Sequence, residues 1–306
     1  MEEIIKIATR SSQLAIWQAK FIQDQLLAKG IKSELIEFET KGDKILDRSL
    51  AKIGSKGLFT EELETCLLEG KAHIAVHSAK DLPSTLADNL ELIAFGEREA
   101  FHDVLVSEKE VNLHSNLKIG TSSTRRVALL KKYFPNFDVV QMRGNLQTRI
   151  NKMQNGDCDA LMLAYAGVHR MGYSALIKHH FDSETIVPPV GQGALALECS
   201  TLLDNKIKQT IKQICNHEDT EICLLAERSL LNIMEGGCSV PIFALAHLEG
   251  NEIVLKGGII GLDGKTEIRH TLKGKKTESI ALGKHLAMHI LSNGGEKLLK
   301  DIKEQL

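Results

Sequence analysis

The chain has almost no net charge, −2 over 306 residues, with both signs interspersed along it. That balance argues against a nucleic acid or a membrane surface recognised through bulk electrostatics, so any anion site must be local. None of the six cysteines, Cys66, Cys158, Cys199, Cys215, Cys223 and Cys238, stands in a C-x-x-C pair. The opening Met-Glu-Glu-Ile-Ile lacks the basic flank and long apolar core of a signal peptide. A reduced, cytoplasmic protein is the expectation. No apolar run approaches the roughly 18 to 20 residues needed to span a bilayer. Arginine is scarce, ten against 28 lysines. Yet Arg10, Arg125, Arg126, Arg143, Arg149 and Arg170 mostly lie beside Ser, Thr, Gly or Asn at the ends of apolar runs. A guanidinium pairs bidentately with a carboxylate or phosphate, and six of them at loop mouths imply a ligand carrying several anionic groups.

The length predicts two or three domains. The stretch that organises them is His77-Ser78-Ala79-Lys80-Asp81-Leu82-Pro83, which follows the short apolar run Ile74-Ala75-Val76. A strand ending in a hydroxyl, an ammonium and a carboxylate, stopped by proline, sets three polar side chains at the mouth of a sheet. Ser78 and Asp81 could equally shape a turn. Upstream, Ile4 to Ala8 reads as a strand, and Thr9-Arg10-Ser11-Ser12 leads into a helix with apolar positions Leu14, Trp17, Phe21 and Leu26. Free N–H groups at such a helix start suit an anion, and Ser11 or Ser12 also suits a cap. Ser33 to Thr40 alternates as a strand. The long connection Lys41 to Gly57, holding Lys52 and Lys56, is expected to be a mobile functional loop, and a helix follows over Phe59 to Leu68. The first hundred residues read as β-α-β-α-β.

The pattern then restarts. Val104 to Val106 and Leu117 to Ile119 read as strands, and Gly120-Thr121-Ser122-Ser123-Thr124-Arg125-Arg126 enters a helix. Capping accounts for one or two of those hydroxyls and not for the paired arginines, which favours an anion site. Phe137 to Met142 is a strand closed by Arg143-Gly144-Asn145, with Arg149 on the helix beyond, and Asp159 to Leu163 delivers Tyr165 to Arg170. Several strand ends aimed at one crevice, opposite a matching crevice in the first unit, describe a two-lobed clamp. Val187 to Gly193 reads as a linker, and Ala194 to Cys199 as a strand returning to the first lobe. From about His217 a helix with Ile222, Leu225, Leu230 and Ile233 runs to Glu235-Gly236-Gly237-Cys238-Ser239, and strands and helices after Ile242 form a small α+β unit. Cys238, after two glycines, is expected to be accessible. A nucleophile, a covalent attachment point and a plain loop thiol are the options, and attachment ranks above acid–base catalysis because no partnered base is evident. His285 and His289, four apart, lack a third metal ligand.

Thr9 to Ala15, Lys52 to Phe59, His77 to Pro83, Gly120 to Arg126, Arg143-Gly144-Asn145 with Arg149, Gly191-Gln192-Gly193-Ala194 and Glu235 to Cys238 together closely resemble the hydroxymethylbilane synthase (porphobilinogen deaminase) family, in the family's order and over nearly the whole chain. Two departures stand out: Lys41 where arginine is common, and Thr124 where an apolar residue is usual. The resemblance implies two type II periplasmic-binding-protein-like α/β lobes plus a small α+β C-terminal domain. The expected boundaries are 1–97 with 194–214 for lobe 1, 98–193 for lobe 2, and 215–306 for the cofactor-attachment domain.

It further implies a transferase that polymerises four porphobilinogens into 1-hydroxymethylbilane with loss of ammonia, on a dipyrromethane cofactor held by a thioether to Cys238. Every pyrrole brings an acetate and a propionate, which suits the arginines. Loss of ammonia leaves an electron-poor methylene-pyrrolenine that a fixed carboxylate, Asp81, would stabilise. By the same resemblance, Ser78, Lys80, Thr121, Ser122, Ser123, Arg125 and Arg126 hold the cofactor. Arg10, Ser12, Gln18, Arg143, Gly144, Asn145, Arg149 and Arg170 handle the incoming pyrrole and growing chain, and Lys52, Lys56 and Phe59 belong to the flexible loop. No metal, nucleic acid or membrane partner and a monomeric state are expected. A non-catalytic two-lobed solute-binding protein is the rival, but it gives no reason for Cys238 on a Gly-Gly loop in an extra domain.

Overall fold

A computed structural model describes residues 4–44, 59–235 and 239–306. Lys52 and Lys56 of the expected loop, and Cys238, therefore lie outside the described residues. The part of that loop that is described begins with a helical turn, Lys41–Lys44.

Two five-stranded sheets repeat one wiring. In the first, β1 (Ile5–Arg10), β2 (Ser33–Phe38), β3 (Ile74–Ser78), β4 (Leu90–Phe95) and β10 (Leu195–Ser200) stand in the order β2-β1-β3-β10-β4. In the second, β5 (Asp103–Val106), β6 (Lys118–Gly120), β7 (Asp138–Val140), β8 (Ala160–Ala164) and β9 (Ile177–His180) stand in the order β7-β6-β8-β5-β9. In each sheet the strand that enters from the other lobe, β10 or β5, runs antiparallel to both neighbours. The other pairings are parallel. Parallel strands packed by helices must bury both faces, which is why β8 reads Ala-Leu-Met-Leu-Ala, buried at every position. The third sheet is an antiparallel meander of β11 (Ile242–Glu249), β12 (Glu252–Ile260) and β13 (Glu267–Lys275). The helices Glu218–Ile233 and Ser279–Ile290 pack on it through Leu230, Leu286 and Ile290.

Edge strands β4 and β9 and the helix Asn205–Cys215 were not anticipated. The helix Gln13–Leu27 also differs from expectation. Its core face is Ala15, Ala19, Ile22 and Leu26, whereas Leu14 and Trp17 are half-buried and Phe21 is exposed. The helix carries two apolar stripes, and the larger side chains mark the one turned toward the second lobe. Leu14 lies against Gly167 there, and Trp17 lies beneath the Arg170 guanidinium, 5.4 Å away. Among the described residues no helix is long and apolar enough to cross a membrane.

The two crossovers between lobes pass each other at Gly191-Gln192-Gly193. Gly191 and Gly193 both take left-handed backbone angles, φ +75° and +92°. A Cβ on Gly191 would stand 2.9 Å from the Ala79 carbonyl carbon, and one on Gly193 would stand 2.4 Å from the Glu99 oxygen. Only glycine permits both the angle and the approach. The crossing is locked by Glu227 of the third unit, a fully buried carboxylate that binds Arg98 through both oxygens (2.6 and 3.2 Å) and accepts the N–H groups of Gly191 (2.9 Å) and Ala246 (2.8 Å).

Candidate active site

The strand β3 ends where the sequence places chemistry. Ser78 closes it, and Ala79–Asp81 form a single 3₁₀ turn. The Ser78 hydroxyl accepts from Gln18 Nε2 at 2.9 Å, so the buried Gln18 arises from the first helix to meet this turn. Asp81 is half-buried, and among the described residues no side chain donates a hydrogen bond to its carboxylate. Its neighbours are cations. Burial pushes the Lys80 ammonium down to about 8, with Arg126 and Arg125 acting in the same sense and Asp81 and Asp103 opposing. Burial likewise pushes Arg149, on the helix Leu146–Gln154 of the second lobe, down to about 10, with Arg126 and Arg143 adding to the fall and Asp81 opposing it. Asp81 of one lobe and Arg149 of the other thus share one electrostatic field across the crevice.

Asp103, which sequence reasoning missed, organises the second lobe's side of the site. Its carboxylate is fully buried and binds Arg125 Nη2 at 2.7 Å, Arg126 Nη2 at 2.7 Å and Gln192 Nε2 at 2.9 Å. Burial alone would raise its pKa, but Arg126 and Arg125 win and hold it well below the usual carboxylate range. Gln192 in turn accepts from Lys80 Nζ at 3.4 Å. A chain of polar contacts therefore runs from the Asp81 turn through the crossover to the paired arginines. No local sequence signal marks Asp103, which simply precedes an apolar run. The Gly-Gln-Gly motif was visible, but the role of its glutamine was not.

The structure places the remaining predicted residues in three settings. In the hydroxyl-rich turn before the helix Thr124–Tyr133, each of Thr121, Ser122 and Ser123 accepts a backbone N–H, from Ser123, Met142 and Arg126 respectively. A hydroxyl so engaged still has its proton to donate. Asn145 caps the next helix by accepting from Thr148 N at 2.9 Å, and Arg149 Nε donates to the Gly144 carbonyl at 2.7 Å, which aims the guanidinium. Ser12 caps the first helix. Arg10 lies 4.4 Å over the Phe59 ring, and Arg170 is held between Trp17 and the Gly193 carbonyl (2.8 Å). Arg170 therefore bridges the lobes beside the crossing rather than joining the Arg126–Arg149 group.

Five cationic side chains, Lys80, Arg125, Arg126, Arg143 and Arg149, share the field with two carboxylates, Asp81 and Asp103. The Nε atoms of Arg125 and Arg126 are buried without a hydrogen-bond partner among the described residues. Excess buried positive charge with unused donors fits a ligand bearing several carboxylates. Of the cysteines, Cys66, Cys158, Cys199, Cys215 and Cys223 are buried, and burial pushes the last three up to about 12, which makes them inert hydrophobes. His289 packs edge-on against His270, and no group of three metal-ligating side chains occurs among the described residues.

Residues 5–209 match the family model described as porphobilinogen deaminase, dipyromethane cofactor binding domain, and residues 221–292 match that described as porphobilinogen deaminase, C-terminal domain. The porphobilinogen deaminase of Desulfosudis oleivorans is 49% identical over 98% of this chain and 98% of its own. That of Cytophaga hutchinsonii is 47% identical over 100% of this chain and 99% of its own. Among solved structures, a TRAP periplasmic solute binding protein from Desulfovibrio salexigens is similar at 11% identity and a TM-score of 0.43, over 72% of this chain and 74% of its own.

Proposed function

From the premise that this chain belongs to the porphobilinogen deaminase family, we propose the following division of labour in its crevice. The protein is a transferase that joins porphobilinogen units into the linear 1-hydroxymethylbilane. Each porphobilinogen loses its aminomethyl nitrogen as ammonia. The methylene carbon left behind bonds to the free α-carbon of the pyrrole ahead of it, which gives up its proton; after four additions water cleaves the bond to the primer, its hydroxyl going to the methylene carbon of the first unit added and its proton to the primer's α-carbon. Bound in the crevice, the dipyrromethane supplies the first such pyrrole terminus.

Asp81 is the catalytic residue. Its carboxylate is fixed by a one-turn helix, accepts no side-chain hydrogen bond from the described residues, and can take a pyrrole N–H while opposing the positive charge that builds as ammonia departs. Ser78, Lys80, Thr121, Ser122, Ser123, Arg125 and Arg126 hold the dipyrromethane carboxylates, Lys80 as a point charge and the hydroxyls as donors. Cys238 carries the thioether. Arg10, Ser12, Gln18, Arg143, Gly144, Asn145, Arg149 and Arg170 serve the incoming unit and the growing chain, with Gln18 acting through Ser78 and Asn145 through the helix it caps. Lys52 and Lys56, which lie outside the described residues, and Phe59 act together on the bound ligand. Residues 1–97 with 194–214, 98–193 and 215–306 act as three units, working as a monomer in the cytoplasm.

The observation that carries this reading is the Asp81 carboxylate, which receives no side-chain hydrogen bond from the described residues and shares a field with Arg149. Replacing Asp81 by Asn keeps the volume and removes the charge, so the protein should fold and still acquire its covalent mass increment when supplied with preassembled tetrapyrrole. Turnover should fall about 10²-fold or more. Near-normal turnover in Asp81→Asn would remove Asp81 from the centre of the chemistry.

A further inference from the structure

One stripe of the helix Glu218–Ile233, in the C-terminal unit, follows the Asp81 turn and the chain that leaves it. Leu224 shares a buried apolar cluster with Ala79 and Leu82, which flank Lys80 and Asp81. Four residues on, Arg228 Nη2 donates to the Pro83 carbonyl at 3.0 Å. Four further on, Asn232 Nδ2 donates to Thr85 Oγ1 at 3.0 Å and to the Ser84 carbonyl at 3.4 Å. Residues four apart share a face of a helix, so positions 224, 228 and 232 meet successive parts of the segment in register. That segment needs a hold from outside, because from Leu82 to Asn89 it forms neither helix nor strand. Burial pushes the Arg228 guanidinium down, with Glu198 opposing. Glu198 is fully buried and lies 3.1 Å from Nε2 of His77, the residue before Ser78. Arg228 thus has a carboxylate in its field and a carbonyl of the catalytic segment as its acceptor.

We infer that Arg228 and Asn232 are positioning residues for the Asp81 carboxylate: they hold the exit of its turn from the C-terminal unit, while Gln18 holds the entrance at Ser78. The inference rests on the reading of Asp81 as the catalytic residue and deepens it by assigning what keeps that carboxylate in place. A single 3₁₀ turn closes too few hydrogen bonds to fix its own geometry, so its ends must be anchored by other elements. Misplacing a catalytic group by about 1 Å can cost about 10²-fold in rate. Neither Arg228 nor Asn232 takes part in the chemistry. Each limits where the carboxylate can be when ammonia departs. The same helix carries Glu227, which binds Arg98 and Gly191 of the two crossovers. One helix of the C-terminal unit therefore sets both the catalytic turn and the crossing between the lobes.

The test is a double-mutant cycle on the full chain, each variant first loaded with preassembled tetrapyrrole and its covalent increment checked by mass. In the wild-type background Arg228→Met should lower kcat about tenfold, the factor that corresponds to a hydrogen bond from a charged donor. Asn232→Ala should lower it about fivefold, as for one neutral hydrogen bond. The KM for porphobilinogen should change less than kcat in both. In the Asp81→Asn background the same two changes should cost less than about twofold further, because there is no longer a carboxylate to position. If Arg228→Met folds poorly beside Glu198, Asn232→Ala, at an exposed position, carries the cycle alone. Wild-type kcat in the folded variants overturns the inference, as does a loss carried by KM alone. The same fractional loss of kcat in both backgrounds also overturns it, since that is the mark of a general structural role. Near-normal turnover in Asp81→Asn itself would overturn the reading of Asp81, whereas a large loss there with unaffected Arg228→Met and Asn232→Ala would overturn only the role of these two residues.

Discussion

Replacing Asp103 by asparagine probes the buried charge cluster on which the arginine side of the crevice is built. The carboxylate is fully buried and receives three side-chain hydrogen bonds, two of them from guanidiniums at 2.7 Å. Asparagine can accept one or two of these and carries no charge. Among the described residues Arg125 would keep only the Val187 carbonyl (2.8 Å), and Arg126 the Met162 carbonyl (3.1 Å) and Gln192 (3.5 Å), with both positive charges still buried. Removing one partner from a buried ion pair typically costs about 3 to 5 kcal/mol, because the other charge is left uncompensated.

Opening free energies of the amides in β6 and β8, measured by native-state hydrogen exchange, should therefore fall by about 3 kcal/mol or more in Asp103→Asn. Loading the dipyrromethane should restore more stability to this variant than to the wild type, since its carboxylates would meet two arginines that lack Asp103. The acid limb has a definite sign. The native pKa of Asp103 is depressed, so its stabilisation is complete above the ordinary carboxylate value near ~4 and is lost as pH falls from there toward the native value. Asp103→Asn should flatten that part of the stability–pH curve. A loss under about 1 kcal/mol in the variant, with an unchanged acid limb, would refute the reasoning.

Two further expectations follow from the same geometry. Arg149→Gln keeps a donor near Gly144 but removes the charge facing Asp81, so the covalent increment should form normally while elongation slows about tenfold or more; equal slowing of both steps would contradict it. Lys80 is depressed to about 8, so its charge is lost as pH rises through that value. Binding of dicarboxylic pyrroles should weaken along an alkaline limb there, and Lys80→Arg, which stays charged, should move the limb upward; an unmoved limb would remove Lys80 from carboxylate binding. Folding stability in the unloaded chain should show the opposite trend, rising with pH from about 8 toward the unfolded lysine value near ~10.4, because the unfolded chain binds the extra proton in that window.

What was legible in the sequence was local. A cap acts within three residues, so capping by Ser11 or Ser12, and by one or two of the hydroxyls ahead of Arg125, was readable, and Ser12 and Ser123 are the ones that cap; Asn145 was read only as closing a strand, and it caps the next helix. The His77 to Pro83 turn was readable because proline stops a strand. The strands β6 and β8 announced themselves as apolar runs ending in Gly-Thr-Ser or Tyr-Ala-Gly. Asp103 was not readable, since its meaning lies in guanidiniums 22 and 23 residues away and in Gln192, 89 residues away. Glu227 likewise looked like one more acidic residue on an amphipathic helix, although it binds both crossovers. Periodicity misplaced the core face of the first helix for a related reason. Hydrophobicity says that Trp17 and Leu14 will be covered, but whether by the helix's own lobe or by the opposite one is decided by tertiary packing.

The central claim is that the crevice works on a primer fixed to Cys238, and the intact mass of the denatured protein tests it most directly. A thioether survives denaturation, so the active wild-type chain should weigh more than its sequence by one dipyrromethane. Cys238→Ser should lack that increment and its activity, because a serine hydroxyl is a far poorer nucleophile near neutral pH. Serine at any of the other five cysteines should leave the increment in place. An active wild-type chain of unmodified mass, or an increment that persists in Cys238→Ser, would contradict the account.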